Sequence, residues 1–219
     1  MSFNINAEFD PACMTLLCSI MSEKGSDKGG RHKEHNYTTF YFALLAPRRE
    51  HPLRIFELGL GTNNLDVASN MGAYGVPGAS LRGWATFCPN ALVYGADIDA
   101  RILFTEDRIQ TYYCDQTDPA SIATLWDTDC LRADFDVIVE DGLHSYDANA
   151  CFLANSLHKL APGGVYIVED IAAANVPKLA AFAAGLIARQ PEFVMKILQI
   201  PHPSNTSNNN ILVIKRQEA

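Results

Sequence analysis

A chain of 219 residues, 48% hydrophobic and 19% charged, holds enough apolar matter for one well-buried domain and too little length for two comfortable ones. Its net charge of −8 argues against nucleic acid as the main partner, since binding a phosphate backbone needs a basic face. The longest near-apolar run, Leu179 to Ala188, is about half of the ~20 residues a membrane helix needs. The opening MSFNINAEFD has no basic segment followed by an apolar one, so no secretory signal is expected and the cytoplasm is the expected compartment. Cys13, Cys18, Cys88, Cys114, Cys130 and Cys151 are scattered without a C-x-x-C pair and read as reduced thiols, not a zinc cage.

Asp10 as N-cap and Pro11 at the first helical position predict a helix from Asp10 to Ser22. The following EKGSDKGGRHKEHN is glycine-rich and charged and reads as a loop, with Arg31 to His35 solvated. A helix is predicted through YTTFYFALLA, ending near Pro47. From Leu53 the pattern alternates. Strands are expected at 53–58, 91–97, 108–114, 135–140 and 165–170, and helices near 80–87, 119–126 and 145–160. Val176, Leu179, Ala183, Leu186 and Ile187 form an apolar stripe on one more helix. EFVMKILQI and ILVIKR, joined by the polar PHPSNTSNNN, leave no room for a helix and should pair antiparallel. The expected fold is α/β: a Rossmann-like doubly wound sheet, mostly parallel, closed by a C-terminal antiparallel hairpin.

Ligands of such sheets bind beyond the carboxyl ends of the strands, so the polar residues there carry the functional signal. The first strand ends in ELGLGT, placing Glu57, Gly59, Gly61 and Thr62 at a sharp turn. Asn64 replaces the third glycine of the dinucleotide fingerprint, and the next helix is delayed to about Gly78, which counts against NAD. Asp97 ends the second strand, where a carboxylate can accept both hydroxyls of a ribose; NAD and adenosyl-cofactor enzymes share that feature. Asp115 and Gln116 follow the third strand and could bond an adenine edge, or Asp115 could simply be a turn residue.

The fourth and fifth strands end on acid. Asp141, Glu169 and Asp170 should converge, since adjacent strands lie about 4.8 Å apart. Unpaired carboxylates repel one another, and a hard divalent cation such as Mg²⁺ relieves that repulsion. The alternative reading has each acid capping the helix that follows it. His144, three residues after Asp141, is a candidate general base at near-neutral pH.

The set ELGLGT, VYGADI, DQTD, FDVIVEDGLH and LAPGGVYIVEDI resembles the class I S-adenosylmethionine-dependent methyltransferases. More narrowly it is similar to the metal-dependent O-methyltransferases of macrolide-sugar tailoring and to cephalosporin-hydroxylase-like proteins. KGSDKGGRHKEHNYTTFY looks like the segment that precedes the first strand in those relatives. The resemblance implies S-adenosyl-L-methionine and Mg²⁺ as cofactors and a small-molecule hydroxyl as acceptor. It implies Asp141, Glu169 and Asp170 as metal ligands and His144, with Asp141, as the catalytic group. It implies Glu57, Gly59, Gly61 and Thr62 at the methionine end, Asp97 at the ribose, and Asp115 and Gln116 at the adenine. Lys28 and Tyr37 are implied to close the site over the cofactor. Residues 1–52 would then be a helical extension with the capping loop, and 53–219 the Rossmann-like core, in a chain that could form homo-oligomers. The segment 63–77 is longer than the usual turn of the class and is expected to form a lid or a substrate wall. The rival functions are an NAD-dependent oxidoreductase and a non-catalytic partner subunit that only binds S-adenosylmethionine.

Overall fold

The computed structural model describes residues 2–29 and 35–218, so Arg31–Glu34 of the stretch expected to be solvated lie outside the described residues, whereas His35, expected to be solvated with them, is buried. Eight strands form a single sheet. They are β1 (Arg54–Leu58), β2 (Leu92–Asp97), β3 (Thr105–Glu106), β4 (Ile109–Tyr113), β5 (Phe135–Glu140), β6 (Leu160–Val168), β7 (Phe193–Gln199) and β8 (Asn210–Arg216). Their order is β3-β4-β2-β1-β5-β6-β8-β7. The pairs among β4, β2, β1, β5 and β6 are parallel, whereas β8 runs antiparallel to both β6 and β7. The doubly wound sheet with its closing hairpin is therefore as expected. The two-residue β3, unannounced by any apolar run, pairs antiparallel with β4.

The helices are α1 (Leu16–Lys24), α2 (Tyr37–Leu45), α3 (Ala79–Phe87), α4 (Pro119–Trp126), α5 (Tyr146–Ser156) and α6 (Val176–Ile187). Strand residues alternate between two cores, as the period-2 geometry of a strand demands. Ile55, Val93, Val137 and Val165 face α1, α2 and α3, alongside Met21, Phe40 and Trp84. Phe56, Tyr94, Ile138 and Tyr166 face α4, α5 and α6, alongside Trp126, Phe152 and Leu179. No described helix is long and apolar enough to cross a membrane. All six cysteines are free.

Several boundaries differ from the sequence reading, among them the helix expected over 145–160, which ends at Ser156. The first helix starts at Leu16, not Asp10, because Thr15 is the N-cap and accepts the Cys18 N–H. Asp10 instead accepts the Ala12 N–H at 2.9 Å in a local turn that absorbs Pro11. The fifth long strand starts earlier, at Leu160, and a register shift against β5 accommodates Ala161–Gly164. It stops at Val168 because Asp170 takes φ +52°, outside the extended region.

Candidate functional site

The switch in strand order lies at β1, which has β2 on one side and β5 on the other, and a cavity of about 500 Å³ opens beyond their carboxyl ends. Register sets its floor. Leu58 pairs with Glu140 and Glu140 with Val168, so the chain leaves β1, β5 and β6 at one level. The Asp141 N–H donates to Leu58 O and the Glu169 N–H to Glu140 O, extending the pairing by one residue at each strand end.

The turn after β1 permits this close approach only because Gly59 lacks a side chain. At φ +91° a Cβ there would stand 1.9 Å from the Asp141 carbonyl oxygen. Gly142 is equally tight, since a Cβ would meet Gln116 Oε1 at 1.8 Å. That oxygen accepts the Leu143 N–H at 2.6 Å, and the Gln116 amide donates to Glu140 Oε1 at 2.9 Å. Glu140 is buried on the α4–α6 side and takes a further bond from Asn149; burial pushes its carboxyl up, against these hydrogen bonds. Sequence reading passed over Glu140 as part of the strand, yet it is the anchor that turns Gln116 toward the cavity.

Asp97 lines the cavity, and each of its oxygens accepts one backbone N–H, from Leu60 at 2.7 Å and Asp99 at 2.8 Å. Asp99, two residues on, was missed. It gathers Thr62 Oγ1 at 2.6 Å, Asn64 Nδ2 at 2.7 Å and Arg101 Nε at 2.7 Å, and so fixes the end of the glycine turn. The repeated acid in GADID was the available signal. Asp115 lines the cavity too but spends Oδ1 on the Thr117 N–H and hydroxyl, the turn alternative raised from sequence. Glu57 is buried under Ser80 Oγ (2.6 Å) and the Trp84 indole, which tie α3 to β1.

The acids meet because of strand alternation. Val139 and Ile167 point toward α1–α3, so Asp141 and Glu169, two residues further along each strand, do the same, as does Glu57 on β1. Lys28 enters among them. Its ammonium donates to Asp141 Oδ2 and Glu169 Oε2 and lies 3.6 Å from Glu57 Oε1. Tyr41 Oη on α2 donates to Glu169 Oε1 at 2.6 Å. Asp170 joins from the turn: Tyr37 Oη donates to its Oδ1 at 2.5 Å, and His35 Nδ1 lies 3.2 Å from the same oxygen. His144, at φ +58° just before the Ser145 cap of α5, places Nε2 3.1 Å from Asp141 Oδ1 and 3.8 Å from Asp170 Oδ2.

Asp141, His144 and Asp170 thus present ligand atoms within 4.8 Å of one another, whereas both Glu169 oxygens are already bonded. Of the residues singled out in the sequence, all but Tyr37 and Glu169 line the cavity. Lys28 and Tyr37 bond the acids beneath it. Tyr41 was missed because it sits inside an apolar helical run that reads as core, and His35 because it was read as part of a solvated loop, whereas it is buried against Asp170.

Electrostatics follow from burial. It pushes Glu57 and Asp170 up and Glu169 well above the carboxylate range, while Lys28 and His144 hold Asp141 low despite it. Burial opposes the charge on Lys28, but Asp141, Glu169 and Glu57 outweigh it and hold the ammonium protonated. Burial likewise opposes charge on His144, but the Asp141 bond and the nearby Asp170 and Glu140 raise the imidazole to about 9. Among the described residues, the basic side chains set against Glu57, Asp141, Glu169 and Asp170 are Lys28, His144 and His35. The donor set, hard carboxylate oxygen with imidazole beside it, is of the kind a hard divalent cation takes.

The sheet order, hairpin and cavity define the class I methyltransferase fold. The MycE methyltransferase from the mycinamycin biosynthetic pathway, in complex with Mg and SAH, superposes with TM-score 0.69 at 21% identity, over 94% of this chain and 56% of that one. A putative O-methyltransferase from Klebsiella pneumoniae gives TM-score 0.56 at 15% identity, over 94% and 92%. By sequence, the chain is homologous to O-methyltransferases of tetracenomycin and macrolide sugars. It is 33% identical over 155 residues to the 8-demethyl-8-alpha-L-rhamnosyl tetracenomycin-C 2'-O-methyltransferase of Streptomyces olivaceus, covering 71% of this chain and 37% of that protein. It is 31% identical over 150 residues to the demethylmacrocin O-methyltransferase of Streptomyces fradiae, covering 65% and 33%. The chain thus spans little more than a third of the length of these curated relatives. No protein-family model matches it.

Proposed function

We propose that the chain is a cytoplasmic S-adenosylmethionine-dependent, Mg²⁺-dependent O-methyltransferase that acts on a hydroxyl of a small sugar or natural-product acceptor. Residues 53–219 form its Rossmann-like core, and 1–52 form the extension that reaches the acid cluster. One observation carries the reading: a single cavity brings the Gly59–Gly61 turn and Asp97 together with Asp141, His144 and Asp170. The sugar O-methyltransferases among its relatives support it.

The cavity fits the cofactor. Space at Gly59 and Gly142 lets the backbone approach a ligand, and Asp97 keeps unused lone pairs on both carboxylate oxygens for a ribose. Gln116, held by Glu140, and Asp115 would be the residues that meet the adenine. When bound, S-adenosylmethionine supplies a sulfonium methyl that is already activated. The work left to the chain is to align an acceptor oxygen with it and manage one proton.

Asp141 and Asp170, with Glu169 beside them, are the groups that would hold the cation. A bound Mg²⁺ would lower the pKa of an acceptor hydroxyl. His144 takes the proton. With both acids unneutralised its imidazole is raised to about 9 and is already charged at neutral pH. Neutralising Asp141 and Asp170 removes the anions that hold it so, and frees the ring to act as base.

The test is calorimetric titration with S-adenosylhomocysteine, with NAD⁺ as control. Micromolar binding of the first alone is expected, and turnover of a diol or sugar acceptor should then vanish with chelator. Binding of NAD⁺, or no binding of S-adenosylhomocysteine, would overturn the proposal.

A further inference from the structure

Lys28 sits in the three-residue turn Asp27–Gly29, pressed against α1: a Cβ on Gly29 would lie 2.7 Å from Ser22 Oγ and 2.9 Å from the Cys18 carbonyl oxygen. The Thr38 hydroxyl donates to the Lys28 carbonyl at 3.0 Å, tying the turn to α2 as well. The side chain is 3% exposed and carries its ammonium into the acid cluster. A buried ammonium is costly unless anions compensate it, and here Asp141 and Glu169 both do.

The oxygens involved are informative. Lys28 takes Asp141 Oδ2 and Glu169 Oε2, whereas His144 faces Asp141 Oδ1 and Tyr41 holds Glu169 Oε1. A cation ligated by both Asp141 and Glu169 would need the place where the ammonium now stands. Lys28 fills it with a single positive charge, although Glu57 and Asp170 add further negative charge nearby.

We propose that Lys28 is an internal counter-cation that competes with the divalent metal for Asp141 and Glu169. The idea rests on the metal reading above and deepens it. In the metal-free protein Lys28 keeps the carboxylates from repelling one another. Metal binding displaces it, frees Glu169 Oε2, and so makes Glu169 available as a ligand while Tyr41 keeps the other oxygen fixed. Lys28 is thereby a positioning residue that weakens metal affinity in exchange for a stable empty site.

The experiment compares the wild-type chain with Lys28→Met, both purified with Mn²⁺ and titrated with chelator, with bound Mn²⁺ followed by electron paramagnetic resonance. Thermal denaturation is recorded with and without Mn²⁺. Lys28→Met should bind Mn²⁺ about tenfold tighter or more, the order expected when a contacting like charge leaves a buried site. It should melt below wild type without metal and recover with Mn²⁺. Equal or weaker binding by the variant, with wild type binding normally, would overturn the competition and leave the metal reading standing. Binding by neither protein would overturn both. Failure of Lys28→Met to fold even in saturating Mn²⁺ would also overturn the competition, because the dication should replace the lost charge.

Discussion

At Gly59 one added methyl group meets a carbonyl oxygen that cannot move without breaking the end of β5. Gly59→Ala is therefore expected to cost about 1–3 kcal/mol of stability, from the strained φ and the clash together. It should also abolish S-adenosylhomocysteine binding, and denaturant unfolding with calorimetry reads both. His144→Ala is expected to behave differently. The ring lies on the cavity wall and anchors nothing in the fold beyond its contacts with Asp141 and Asp170. Turnover should fall by roughly 10²–10⁴ with cofactor affinity kept, the loss typical of a general base. Parallel loss of affinity, measured on the same preparation, would remove His144 from the chemistry. ELGLGT and DGLH were legible at this scale because turn glycines and strand-end acids stand out from apolar runs. Glu140, Tyr41 and His35 were not, because each matters through a partner distant in sequence.

At the scale of elements, the polar stretch between β7 and β8, to which the sequence alone attached no role, folds back onto the site. Asn209 is buried; its amide donates to Asn36 Oδ1 and to the Ile200 carbonyl, both at 2.8 Å, and its Oδ1 lies 3.2 Å from His35 Nδ1. The Asn208 carbonyl oxygen lies 3.1 Å from Tyr37 Oη. The hairpin turn thus braces His35 and Tyr37, the two side chains on Asp170 Oδ1. Asn209→Ala leaves two acceptors without this donor and should destabilise the protein by about 1–3 kcal/mol, read by chemical denaturation. On the opposite face, Phe56 packs against Trp126, Phe135 and Phe152 with ring centroids 4.7, 5.7 and 6.2 Å away. Phe56→Ala should cost about 3–5 kcal/mol in the same assay. Because that face lies away from the acid cluster, metal affinity of the folded variant should be unchanged.

For the molecule as a whole, the cavity joins loops from β1, β2, β4, β5 and β6, so a ligand bound there is linked to global stability. Saturation at about 100 times the dissociation constant adds about 2.7 kcal/mol. For a domain of this size that raises the melting temperature by roughly 5–10 °C. Differential scanning calorimetry should give this shift with S-adenosylhomocysteine and none with NAD⁺. The segment 63–77 belongs to the same assembly. Met71 N–H donates to Thr62 O at 2.8 Å and Ser69 Oγ to Leu143 O at 3.1 Å, which lays the segment along the cavity mouth while Leu65 and Tyr74 stay exposed.

The succession of strands and helices along the chain, the closing hairpin and the level at which the glycine turn and the acids meet were all readable from the residues alone. Those are local or periodic properties: apolar spacing, turn chemistry and the alternation of strand side chains. What each carboxylate faces, by contrast, is set by the packed fold. Asp141 and Glu169 share a side because β5 and β6 pair in one register, and the side chain between them is Lys28, 113 residues from Asp141 in the chain. No periodicity encodes such a contact. It arises when a buried ammonium and buried carboxylates must find one another because water is no longer there to solvate either.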